Sequence, residues 1–370
     1  MASPEHRQVE DAVDALRRGR IVTVTRAGKT KLSVRAVDFL TLDQVEPNTQ
    51  LLLSGPRATS LKITARREAA GADAVLLDIP YNNAENRLAW IIACADPVRD
   101  LAFPLKGPFT PLEIPEDAQG VAQAALELAR LARLLPALIV VNSSFSDIPH
   151  SESHSESRSV EDKTILDYEF NTSLAMRIVT RAQLPLDGAE NCEVIAFRSG
   201  DGALDHLALV INNPQSGTIP LVRLHSECLT GDLLGSLKCD CGTQLRHAIK
   251  RLSKETQGGI LLYLAQEGRG VGLINKLRAY ALQDQGFDTM EANIRLGFDV
   301  DVRDFAPAAH MLLSLGYDRI RLLTNNPGKV EGIEGCGISV EERIPHQFPD
   351  NPYNRHYLQT KRDKGGHLID

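Results

Sequence analysis

A chain of 370 residues, 43% hydrophobic and 24% charged, exceeds what one ordinary core serves and has the composition of a soluble globular protein with two domains. A formal net charge of -7 argues against wrapping polymeric nucleic acid, which needs a broad positive surface, although a few local cations can still hold a small anion. The polar, acidic start MASPEHRQVEDAV lacks the basic-then-apolar order of a secretory signal, and no apolar run of about 18 residues is present to span a bilayer, so the expected compartment is the cytoplasm, away from membranes.

In chain order, Val13 and Leu16 sit on a short helix that leads through Gly19 into a strand over 20–25. Val121, Ala125, Leu128, Ala132 and Leu135 recur at helical spacing, and a buried-strand run over 137–141 follows. The composition then changes. Residues 143–161, SSFSDIPHSESHSESRSVE, are rich in Ser, Glu and His and offer little apolar surface to offset ordering entropy, so a linker is expected over 143–172. It separates a domain over 1–142 from one over 173–370. Beyond it, strands over 207–211 and 219–224 precede a cysteine cluster, and Leu245, Ala248, Ile249 and Leu252 mark one helix face. Gly258 and Gly259 end that segment, 260–264 reads as a buried strand, and Leu273, Ile274, Leu277 and Ala281 form another helical stripe. Pro307 opens a further helix that Gly316 closes, ahead of a strand over 319–323. Alternating strands and helices of this kind make an α/β (α+β) fold.

Six cysteines are too few for a disulfide framework in a chain this long, but Cys228, Cys239 and Cys241 cluster in HSECLTGDLLGSLKCDCG. On an extended segment Cys239 and Cys241 point to the same side, and the preceding loop can fold Cys228 back to them. Three thiolates without an obvious fourth protein ligand describe a catalytic zinc site with water in the open position. Asp232, Lys238, Asp240 and His225 crowd this stretch, poor company for inert buried thiols. His225 is expected to be a hydrogen-bonding partner more than a fourth ligand. Cys94, Cys192 and Cys336, isolated in apolar or Gly-rich surroundings, read as small buried hydrophobes.

QEGRGVG, residues 266–272, directly follows a strand. Its glycines let backbone amides approach an anion, and Arg269 offers a planar fork to phosphate oxygens. Gly268, Gly270 and Gly272 are evenly spaced, unlike a dinucleotide fingerprint. Further cations stand at Arg223, Lys276, Arg278, Arg303 and Lys329, the last in TNNPGK at a strand-to-helix junction that suits phosphate. Lys276 and Arg278 also fit solvated helix surface. Glu227, Gln244 and Glu267 are candidates to read the donor edge of a purine, and spacing does not choose among them. Asp299, Asp301 and Arg303 alternate along one side of an extended stretch.

Taken in order, RLHSECLTGDLLGSLKCDCGTQL, LLYLAQEGRGVGLINKLRAYALQDQG, DTMEAN, LGFDVDVRDF, RLLTNNPGKVEG and YLQTKRDKGGHL resemble the GTP cyclohydrolase II family of riboflavin biosynthesis from about Met176 to the end. The resemblance implies one zinc ion per subunit on Cys228, Cys239 and Cys241, activating water toward C8 of guanine so that the imidazole ring opens and formate leaves. Tyr280 would assist the second half of that chemistry. Arg303 would attack the α-phosphorus as pyrophosphate departs, with Asp301 accepting its proton, because an unassisted arginine is a poor nucleophile. Arg223, Leu224, His225, Ser226, Glu227, Gln244, Glu267, Gly268, Arg269, Thr289, Thr324 and Lys329 would grip the base, ribose and phosphates of GTP, with Mg2+ on the triphosphate. The family is usually homodimeric. Lys238, Ala265 and Gly365 depart from the usual Arg, Arg and Met, none at an assigned catalytic position.

The N-terminal half, with its AVDALRRGRIVTV opening and late ALELARLARLLPALIVV, resembles 3,4-dihydroxy-2-butanone 4-phosphate synthase. That family's acidic stretch after the first strand is RAGKTKLSVRA here, and its G-H-T-E is missing, which implies a domain without metal ligands that serves stability, dimer formation or regulation. Two rivals fit the same motifs: a paralogue acting in uracil catabolism, and a nucleotide-binding regulator that has lost turnover.

Overall fold

The structure is a computed structural model that describes residues 4–27, 30–63, 73–141, 158–199, 205–215, 217–299, 304–348 and 362. The chain divides into two compact units, one of residues 2–168 with 274–302 and the other of 169–273 with 303–370. No helix among the described residues is long and apolar enough to cross a membrane.

The N-terminal unit is built in chain order from α1 (Pro4–Arg17), β1 (Val22–Arg26), β2 (Thr30–Ala36), β3 (Gln50–Ser54), α2 (Gly55–Ser60), β4 (Ala74–Asp78), α3 (Ala84–Ala95), β5 (Thr110–Leu112), α4 (Gln119–Leu131), β6 (Ala137–Val140), β7 (Arg158–Glu161) and α5 (Asp162–Leu166). Among the described residues its strands run β5-β4-β3-β6-β2-β1-β7, antiparallel except for the β1–β7 pair. α1 and α4, read from their apolar spacing, bury Val13, Leu16, Val121, Ala125 and Leu128 against Val22, Val24, Leu32, Val34 and Val140 of the sheet. β2 buries every second residue, Thr30, Leu32, Val34 and Ala36, so that Lys31 and Arg35 fall on its other face. Part of the linker expected over 143–172 is regular structure, with β7, α5 and a further helix over 168–174. Its second half pairs with β1 as β7, and Val160 and Ile165 join the core; residues 142–157 lie outside the described set.

The other unit holds α6 (Tyr168–Leu174), β8 (Arg177–Gln183), β9 (Cys192–Arg198), β10 (His206–Ile211), β11 (Leu221–Ser226), α7 (Cys241–Leu252) and β12 (Gly259–Leu264). After α8 (Leu273–Asp284) and α9 (Thr289–Arg295) come α10 (Ala306–Ser314), β13 (Arg319–Leu323), α11 (Pro327–Gly335) and β14 (Ser339–Ile344). The seven strands run β14-β13-β11-β12-β10-β9-β8, parallel from β14 to β12 and antiparallel from there to β8. α10 and Ile333 of α11 cover Val222, Leu224, Ile260 and Leu262, while α7 covers Leu221, Leu261 and Leu323. Alternate residues of β11 therefore face opposite layers, and the odd-numbered Arg223 and His225 lie on the side of α7.

α8 and α9, expected in the C-terminal domain, group with the N-terminal unit. The stripe read on α8 also differs: Ile274 and Leu277 are 59% and 45% exposed, whereas the buried positions are Asn275, Ala279 and Leu282.

Candidate metal centre and nucleotide site

Cys228 follows the end of β11, and Cys241 is the first residue of α7, so the two come together where a parallel strand ends and a helix begins. The segment carrying Cys239 and Cys241 is not extended as the spacing argument assumed. Asp240 bends the chain (φ -102°, ψ 3°) as it enters the helix. The three sulfurs still lie within 4.8 Å of one another, and Cys228 Sγ is 3.7 Å from Cys239 Sγ. A tetrahedral ion with sulfurs at about 2.3 Å needs them roughly 3.8 Å apart, so the donor set fits zinc. Without a cation, hydrogen bonding with the Cys228 thiol together with burial raises the Cys239 and Cys241 pKa values. A divalent ion reverses that preference.

Two glycines make the pocket possible. A Cβ on Gly231 would stand 2.8 Å from Cys239 Sγ and 2.9 Å from both Cys228 Sγ and Cys241 Cβ, and one on Gly242 would stand 2.0 Å from Gly231 O. The Gly231 amide also donates to Cys228 Sγ at 3.3 Å. Neither glycine was legible beforehand, because crowding is a three-dimensional property.

His225 is no ligand. Its Nε2 sits 3.1 Å from each oxygen of Asp232, which also accepts from the Cys228 amide and the Tyr263 hydroxyl, each at 3.0 Å. The imidazole stacks on Tyr263 with centroids 5.6 Å apart. Burial holds its pKa below the usual histidine range against the pull of Asp232. Asp232 and Tyr263 thus fix both the histidine and the backbone of the first cysteine, a support that sequence spacing did not reveal.

A second network starts at Arg223, whose guanidinium donates to Leu323 O at 2.9 Å and to Gln244 Oε1. Gln244 Nε2 in turn donates to Asp240 Oδ2 at 2.6 Å. The residue between two cysteines is thereby tied through α7 to the centre of the sheet. His346 Nε2 lies 3.0 Å from Gln244 O, and burial beside Arg223 pushes its pKa down to about 3.

The glycine loop follows β12 as expected, with Gly268, Arg269 and Gly270 at φ 63°, 61° and 97°. Arg269 is held in the left-handed region, at a cost on the order of 1 kcal/mol, the kind of strain that gathers at ligand-binding loops. Glu267 is 4% exposed, and its two oxygens accept from the Gly268 amide at 2.8 Å and the Leu229 amide at 2.7 Å. It therefore clips the glycine loop to the cysteine loop. Lys329, in the first turn of α11, donates to Leu224 O at 2.8 Å. Thr324 directly follows β13, and its hydroxyl accepts from the Asn326 amide at 3.1 Å.

Arg223, Leu224, His225, Ser226, Glu227, Cys228, Cys239, Cys241, Gln244, Glu267, Gly268, Arg269, Thr324 and Lys329 all belong to the C-terminal unit. Tyr280 on α8 and Thr289 on α9 belong to the N-terminal one. Arg278, which could pass for solvated surface, is instead paired with Asp38. Asp301 and Arg303 lie outside the described residues. Of the isolated cysteines, Cys94 and Cys192 are fully buried, and burial pushes the Cys94 thiol up to about 12; Cys336 is half-buried.

The chain that carries this cysteine triad and left-handed glycine loop is similar to known sequences. The sequence model of GTP cyclohydrolase II matches residues 176–345. A GTP cyclohydrolase-2 of Azospirillum brasilense is 42% identical over 98% of this chain and 94% of its own. The chain belongs to the GTP cyclohydrolase II family. This cyclohydrolase is also 33% identical to a riboflavin biosynthesis protein RibBA of Cytophaga hutchinsonii, over 98% of this chain and 97% of that one. A GTP cyclohydrolase-2 of Proteus mirabilis is 51% identical over 53% of this chain and 98% of its own, so the family also occurs in chains about half as long.

Proposed function

We propose that the cyclohydrolase converts GTP to 2,5-diamino-6-(5-phospho-D-ribosylamino)pyrimidin-4(3H)-one, formate and pyrophosphate, the first step of riboflavin biosynthesis. The observation that carries this reading is the trio of thiols gathered within 4.8 Å of one another around Gly231, where a Cβ would crowd the sulfurs. Cys228, Cys239 and Cys241 would hold one zinc ion per subunit. When bound, zinc supplies Lewis acidity and lowers the pKa of water toward neutrality. One water opens the imidazole ring at C8, a second releases formate, and a third replaces pyrophosphate.

The chain's own residues bind and orient. Gln244, held by Arg223 and Asp240, presents a fixed amide to the base, while His225 is locked by Asp232 beside the first cysteine. Amides of the strained glycine loop, with Arg269, Thr324 and Lys329, meet the triphosphate and its Mg2+. Arg303, deprotonated by Asp301, takes the α-phosphoryl group, and Tyr280 assists release of formate. Thr289 contributes to the nucleotide grip. The domain over 1–142 is a degenerate 3,4-dihydroxy-2-butanone 4-phosphate synthase without catalysis of its own, and the protein works as a cytoplasmic homodimer. Incubating the full chain with GTP and quantifying formate and pyrophosphate tests the assignment. Both are expected in equal amounts and are lost in Cys239→Ser together with zinc. No formate from GTP, with turnover of a uracil derivative instead, would replace it.

A further inference from the structure

Within the N-terminal unit, α8 and α9 bury polar side chains beside the apolar Ala279, Leu282 and Ala292. Asn275, with no exposed surface, donates from Nδ2 to Arg133 O at 3.1 Å and accepts from Arg278 at 2.8 Å. Arg278 donates to Asp38 Oδ1 at 2.7 Å and lies 3.8 Å from Asp96. Asp38 in turn accepts from the Leu135 amide at 3.0 Å through its other oxygen. Further along, Gln285 donates to Val98 O at 3.2 Å. Ser54 donates to Gly297 O at 2.7 Å, and Gly297 (φ 91°) leaves no room for a Cβ against Ser54 and Pro136.

Polar contacts of this kind add little net stability over an apolar interface of the same shape, but they admit one register, since a slip leaves buried donors unpaired. At 3.6 residues per turn, Asn275, Arg278, Ala279 and Leu282 form the docked face of α8 and Tyr280 lies on its far side. Fixing that face fixes the direction of the tyrosine.

We propose that the N-terminal unit serves the reaction as a dock for the tyrosine-bearing helix, with Asp38 and Arg278 as its positioning pair. This rests on the reading that Tyr280 acts in formate release. Misplacing an acting group by about 1 Å can cost on the order of a hundredfold, so loosening the dock should slow release of formate and leave the pyrophosphate half untouched.

The test compares the full-length protein with Arg278→Met, which removes the pair while keeping the stem, and Asp38→Asn, which keeps an acceptor for the Leu135 amide. Mass spectrometry of the GTP products gives the fraction of pyrimidine that retains its formyl group. Pyrophosphate and zinc are measured on the same samples. In both variants the formyl-retaining fraction is expected to rise roughly tenfold or more at unchanged zinc and near-unchanged pyrophosphate release, and Arg278→Lys should restore most of the loss. Equal decline of formate and pyrophosphate, or an unchanged product ratio in Asp38→Asn, overturns the dock. Wild-type protein that makes no formate from GTP would remove the function reading beneath it, which is a separate result.

Discussion

Replacing Gly231 by alanine is the sharpest probe of the metal centre, because the methyl group meets the cluster itself. Its carbon would lie 2.8 Å from Cys239 Sγ and 2.9 Å from Cys228 Sγ and Cys241 Cβ. Ordinary contact of such atoms is about 3.5–4.0 Å, so all three contacts are short by roughly 0.6 Å or more. The neighbours cannot yield cheaply. Cys228 is pinned through its amide to Asp232, Cys241 is built into the first turn of α7, and Gly242 already abuts Gly231 O. Overpacking of this kind costs about 1–3 kcal/mol. Because the sulfur triangle must widen to admit the methyl group, zinc affinity should fall by on the order of 10–100-fold. The assay titrates Gly231→Ala and wild type with a zinc chelator, following bound metal by elemental analysis and formate release from GTP in parallel. Loss of formate should track loss of zinc and recover with excess zinc. A variant that keeps one zinc per subunit and wild-type turnover through the titration would show that this pocket does not hold the catalytic ion.

Glu267→Gln removes one of two acceptors for buried amides, so the melting temperature should drop by the equivalent of about 1–3 kcal/mol, and the KM for GTP should rise as the glycine loop loosens; thermal scans and kinetics on one preparation check both. Arg269→Gly relieves the left-handed strain, so stability should rise by up to about 1 kcal/mol, while KM rises at least tenfold if the guanidinium meets phosphate, as steady-state kinetics will read. In the N-terminal unit, burial opposes ionisation of Asp100, but hydrogen bonds and charge from Arg57 and Lys106 outweigh it and hold the carboxyl below its ordinary pKa. A depressed folded-state pKa means stability that is full above the unfolded value of about 3.9 and lost as pH falls from there through the folded value. Asp100→Asn should therefore weaken the protein at neutral pH and flatten its acid limb in denaturation curves between about pH 2 and 5; an unchanged limb would show that the buried triad contributes nothing to acid sensitivity.

The cysteine trio and the glycine loop were legible in the sequence because chemistry demands those residue types at short range. A metal ion held by thiolates needs several of them at short range, and backbone amides reach an anion most readily where side chains are absent. Asp232, Tyr263, Gly231 and Gly242 were not legible, since each acts by contact with residues that folding brings near. The period-two apolar residues of TKLSVRA make it a strand irrespective of the acidic groups it lacks. The Ser-rich stretch shows the limit of composition, because residues 158–161 pair with β1 and Val160 joins the core.

α8 misled for a deeper reason. Its apolar residues Ile274 and Leu277 face outward, and its buried face carries Asn275 beside Ala279 and Leu282, so the large apolar side chains alone do not mark the packed side. A buried polar face is stable only where acceptors are already fixed in space, here Arg133 O and Asp38, each more than a hundred residues away in the chain. Periodicity reports what a helix has to bury and not what receives it. A departure of this kind therefore marks a helix whose partner specifies its register, and here the N-terminal unit is that partner. Through Arg133 and Asp38 the rest of that unit holds the helix that bears Tyr280.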